Sequence, residues 1–100
     1  MQESPNSPLI YLEDLTVGDV FVSKTHALDA AQIIAFAAQF DPQPFHLDAQ
    51  AARDTLFQGL AASGWHTAAL TMKLLVDSFP VSRGVIGAGA EVAWPPPTRP

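Results

Sequence analysis

Two side chains five positions apart, Asp41 and His46, are the residues of this 100-residue chain best suited to moving protons. Pro42 and Pro44 stand between them. Each proline fixes its own φ and restricts the residue before it, so the loop Asp41-Pro42-Gln43-Pro44-Phe45-His46 is stiff. A carboxylate and an imidazole held this way can share one water: one group removes its proton and the other delivers a proton to a neighbouring atom. Spacing alone favours a plainer reading, in which Asp41 ends a helix or turn and His46 is an ordinary loop residue, because D-x4-H is a common pattern. Gly64 is the third candidate. At the start of a helix its N–H has no intrahelical partner, and the dipole there favours negative charge. A carbonyl oxygen becoming an enolate would be stabilised at such a donor. Close packing of the helix explains the glycine equally well.

Other polar residues carry less. His26 falls in an expected strand and His66 on a polar helix stripe, where a surface histidine is the expectation. The three histidines are twenty residues apart, which is no metal-ligand spacing, and no metal is assigned. Ser63 lies in Gly59-Leu60-Ala61-Ala62-Ser63-Gly64, not in a G-x-S-x-G elbow, so it is read as a helix cap. Gly87-Ala88-Gly89 leads into prolines and not a helix, so it is no dinucleotide loop.

These residues need elements to position them. Asp29 is placed to cap a helix, with Gln32 three residues on as in a capping box. Ile33, Ile34, Phe36, Ala37 and Phe40 form its apolar face, and Pro42 stops it near Phe40. Asp48 caps a second, short helix over 49–54. Ser63 opens a long helix that runs to about Ser78, ended by Pro80. Trp65, Ala68, Met72, Leu75 and Val76 make it apolar on most sides, so burial is expected. Only Ser63, His66, Lys73 and Asp77 make a polar stripe. The segments 20–28 and 85–94 read as strands, and Val17-Gly18-Asp19 as a turn. A long buried helix needs a sheet of ~4–6 strands, and two are too few.

Apolar residues make up 48% of the chain and charged ones 15%, the composition of one globular domain. The net charge of −5, with the basic residues scattered, argues against nucleic acid or an anionic membrane as partner. There is no cysteine, which excludes disulfides and thiolate sites. The start MQESPNSPLI lacks the pattern of a secretory signal, and no apolar run reaches the ~20 residues of a membrane span. A cytoplasmic protein is expected, with residues 1–10 as a flexible leader.

The blocks FDPQPFHLD (40–48) and GLAASGWHTAALTMKLL (59–75), in that order and followed by WPPPTRP, resemble the MaoC-like acyl dehydratases, which include the (R)-specific enoyl-CoA hydratases. The resemblance covers residues 11–100. It implies an α+β hotdog fold, an antiparallel sheet wrapped around a long central helix, here the helix at 59–78. It also implies reversible syn addition of water to a trans-2-enoyl thioester. Asp41 and His46 match the catalytic pair, and Gly64 matches the glycine whose N–H receives the thioester oxygen. No cofactor is implied beyond the CoA or acyl-carrier thioester substrate, and a homodimer is the expected assembly. Phe40 and Gln43 depart from the glycine and asparagine usual around the aspartate. Met72 stands where a supporting serine is usual. In the family the tryptophan–proline segment leads on to a G-D turn and three strands, so residues 11–100 match the N-terminal part of a single domain, with the hotdog incomplete. A hotdog thioesterase and a non-catalytic thioester-binding or dimerising remnant are the alternatives.

Overall fold

The computed structural model describes residues 9–100. Four helices carry the architecture: α1 (Ala30–Phe40), α2 (Pro44–Leu47), α3 (Ala49–Ala52) and α4 (Gly64–Ser78), after one 3-10 turn at Leu12–Asp14. The expected turn forms at Gly18, where φ is 98° and the Asp19 carboxylate accepts from the Thr16 N–H at 2.8 Å. Most of the expected leader lies outside the described residues. Ile10, at its end, forms a parallel bridge to Val81.

α1 starts and stops where its sequence signals lie. Asp29 accepts from the Gln32 N–H at 2.8 Å, and the helix ends before Asp41-Pro42. The reciprocal half of the box does not form. The Gln32 side chain accepts instead from His26 Nε2 at 2.7 Å. The expected loop after Asp41 contains the unforeseen helix α2, with Pro44 at its first position, where a missing N–H costs nothing. Asp48 caps α3 through the N–H groups of Gln50 and Ala51.

The expected strands are not present. Segments 20–28 and 85–94 are neither helix nor strand, and the Ile10–Val81 bridge is isolated. A strand is stable only as part of a ladder that pairs its backbone groups, and these two segments do not pair with each other. The burial of α4 is likewise corrected. Of its residues only His66 is buried, while Trp65 is 66% exposed and Met72, Leu75 and Val76 are exposed too. The polar stripe is inverted at its start: Ser63 and His66 face the interior. The core is small. Ile33, Leu60 and Ala62 are buried together, with Leu28 and Ile34 against them. No helix among the described residues is long and apolar enough to cross a membrane.

Candidate active site

The stiff loop brings its two ends together. His46 Nε2 lies 3.3 Å from Asp41 Oδ2, and His46 is only 4% exposed. The residues between them explain the approach. The Ala37 carbonyl accepts the Asp41 N–H at 2.8 Å, which ends α1, and the Gln43 carbonyl accepts the His46 N–H at 2.9 Å, which starts α2. A helix end and a helix start thus fix both backbones.

The imidazole is also fixed from the other side. His46 Nδ1 lies 2.6 Å from the Ala61 carbonyl oxygen. That oxygen can only accept, so Nδ1 carries the proton and Nε2 is the nitrogen aimed at Asp41. The Ala61 N–H donates in turn to the Phe45 carbonyl at 3.0 Å, zipping the segment before α4 onto the loop. Gln43 Nε2 donates to Asp41 Oδ1 at 2.6 Å. That bond is the main cause that lowers the Asp41 carboxyl below its ordinary value. The Ser63 side chain lowers it further, burial opposes both, and His46, when its ring is protonated, lowers it as well. The Ser63 Oγ itself has no hydrogen-bond partner.

Gly64 is the first residue of α4. Its neighbour is the Trp94 ring: a Cβ on Gly64 would lie 3.0–3.3 Å from three ring atoms. Close packing is therefore present at this glycine, together with a helix-start N–H. The segment after Trp94 straps down the approach to α4. The Thr98 carbonyl accepts the Ala62 N–H at 2.9 Å, Thr98 Oγ1 lies 3.1 Å from Thr67 Oγ1, and Arg99 donates to the carbonyls of Leu60 and Phe57.

His66 is no surface residue. It is 7% exposed and stacks on Phe36 with centroids 4.5 Å apart and planes 5° apart, and its Nδ1 has no hydrogen-bond partner. Burial lowers its basicity, and His26 lowers it further. Among the described residues no group of three metal-ligating side chains converges. The sequence reasoning missed the Ala61 carbonyl, which has no side-chain signal. It also assigned Ser63 to capping, which Ser63 does not do. Gln43 stood out only as a departure, although its position two residues after Asp41 was the available clue.

The chain as a whole is similar to known proteins. The profile of the family described as "MaoC like domain" matches residues 14–93. The crystal structure of a MaoC-like dehydratase from Rhodospirillum rubrum superposes with a TM-score of 0.87 and 64% identity, over 91% of this chain and 63% of that one. The MaoC-like dehydratases have the hotdog fold. The uncharacterized protein YdeM of Bacillus subtilis (strain 168) is 38% identical over 66 residues, 66% of this chain. The chain spans 47% of the length of that curated relative.

Proposed function

This chain belongs to the MaoC-like dehydratase family, and from that premise we propose that it carries the acid–base centre of an enoyl-thioester hydratase. The observation that carries this reading is the convergence of Asp41 and His46 at 3.3 Å with the His46 Nδ1 proton committed to Ala61. A bare Nε2 and a carboxylate side by side are two acceptors. A water that gives one hydrogen to each satisfies both. Gln43 favours the carboxylate form of Asp41 and so makes it the poorer proton acceptor. Nε2 is therefore assigned as the base. Water oxygen adds to the β-carbon of the enoyl thioester while Nε2 takes the water proton. The electron pair of the double bond moves to the thioester oxygen, as an enolate. The Gly64 N–H is the proposed donor to that oxygen. The Nε2 proton then passes to the α-carbon, and a single group on one face gives syn addition. No cofactor enters these steps. In this reading two copies of the chain associate.

The test is hydration of crotonyl-CoA, followed as loss of enoyl absorbance. Asp41→Asn and His46→Ala each lower the rate by roughly 10²–10⁴-fold, the range for a lost acid or base. Full activity in either variant refutes the pair's role. Release of free thiol, which hydration does not produce, assigns a thioesterase instead.

A further inference from the structure

Two successive peptide units before α4 are each held at both ends. In the unit between Ala61 and Ala62, the carbonyl accepts from His46 Nδ1 at 2.6 Å and the N–H donates to the Thr98 carbonyl at 2.9 Å. In the unit between Leu60 and Ala61, the N–H donates to the Phe45 carbonyl at 3.0 Å and the carbonyl accepts from Arg99 Nη1 at 3.2 Å. A peptide unit is a rigid plane, so a bond at each end fixes its tilt. Of the four bonds, only those from His46 and Arg99 come from side chains. Arg99 Nη2 also donates to the Phe57 carbonyl, and the Phe57 ring lies against Phe45 with centroids 5.0 Å apart. Gly59 leaves the guanidinium its place, since a Cβ there would lie 3.3 Å from Nη1. These are charge-assisted bonds, made by an exposed side chain outside the small core.

The tilt matters because two acceptors compete for one imidazole proton. The Ala61 carbonyl takes it on Nδ1, while Asp41 Oδ2, 3.3 Å from Nε2, would take it on the other nitrogen. We infer that Arg99 is a positioning residue for His46: by holding the Leu60–Ala61 peptide it keeps the Ala61 carbonyl on Nδ1 and leaves Nε2 bare. That a bare Nε2 is the base rests on the proposed hydratase reading.

The deciding measurement is independent of turnover. The His46 ring nitrogens are observed by ¹⁵N NMR at about pH 8, where an ordinary histidine is neutral, and are assigned by their loss in His46→Gln. The wild-type chain shows the Nδ1–H form. Arg99→Ala and Arg99→Gln each show a share of the Nε2–H form, and Arg99→Lys, which keeps the charge and reaches one carbonyl, shows less. In crotonyl-CoA hydration, kcat falls in proportion to that share with KM unchanged. Thr67→Val removes the hydroxyl bond to Thr98 and touches neither peptide unit, so it lowers Tm and leaves the His46 spectrum as it is. Wild-type His46 spectra in both Arg99→Ala and Arg99→Gln overturn the inference. So does an equal change in Thr67→Val, which would mark a general loosening. A wild-type chain that does not hydrate crotonyl-CoA, but whose His46 tautomer changes in the Arg99 variants alone, removes the hydratase reading and leaves the positioning role standing.

Discussion

The two ends of α4 are built on opposite terms. At its start, Ser63 and His66 are buried, and the backbone before the helix is bonded to the His46 loop on one side and to Thr98 and Arg99 on the other. Further along, Met72, Leu75 and Val76 are exposed, and Met72 and Val76 border a mostly apolar groove toward Val81 and Val85. That groove lies at least two helical turns from Gly64, so the candidate chemistry and the bare apolar face are separate regions. The difference teaches that the start of α4 is fixed by hydrogen bonds to the flanking segments. The apolar half of the same helix has no such bonds among the described residues and leaves its side chains exposed.

The sharpest way to break this comparison is to cut side chains in each region. Ile33 is fully buried in the small core beside the site. Ile33→Ala removes three carbons there and should lower stability by about 2–5 kcal/mol in urea unfolding. Leu75 is 49% exposed, and Leu75→Ala should cost no more than about 1 kcal/mol. Equal losses in the two variants would mean that the apolar face is covered in solution.

Gly64→Ala probes the point where the strap meets the helix. The added methyl meets the Trp94 ring at 3.0 Å, a conflict that typically costs about 1–3 kcal/mol. Better helix propensity returns up to about 1 kcal/mol. The net expectation is a loss of about 1 kcal/mol with a shifted Trp fluorescence maximum. Because the N–H survives the substitution, hydration falls only as far as Trp94 is displaced. Unchanged fluorescence and stability would show that the ring does not rest there.

How far all this could be read from the sequence depends on the kind of signal. The limits of α1 and α4 were legible because Asp29, Pro42 and Pro80 act locally, through caps and fixed φ angles. The Asp41–His46 approach was legible as a possibility from the two prolines and became specific only with the family resemblance. Which side of α4 faces inward was not legible. Periodicity separates the stripe of Ser63 and His66 from that of Trp65 and Met72, but it does not say which stripe finds a neighbour. Phe36 stacks on His66 and so decides the matter at that end. The strands at 20–28 and 85–94 have the residue types of a sheet. Type preference does not make a ladder without a second edge.

The N-caps of the two long helices give a finer contrast. Asp29 makes its cap bond and Ser63 does not. Asp29→Ala should cost about 1 kcal/mol, whereas Ser63→Ala loses no cap bond and should cost less. Thermal melts of the two variants side by side check this. A comparable loss in both would restore Ser63 to a capping role.

The smallest expected effect is in the pH dependence, and it separates His66, near the start of α4, from Asp41 at the end of α1. Burial lowers His66 from its ordinary value of 6.5, with His26 as the second cause. The unfolded chain therefore binds that proton before the native one does. Stability from a neutral, stacked His66 is fully present above pH 6.5 and falls as the pH drops from there through the folded value. Asp41 is lowered from 3.8, so its contribution is present above that value and is lost only as the pH falls through a still lower one. Tm measured between about pH 7.5 and 5 should thus report His66 and not Asp41. His66→Phe keeps a ring against Phe36 and removes the titrating nitrogen, and it should flatten the decline across that interval. A decline of the same steepness in His66→Phe would place the responsible proton elsewhere, and the inward face at the start of α4 would then be fixed by shape and stacking with no share in the acid response.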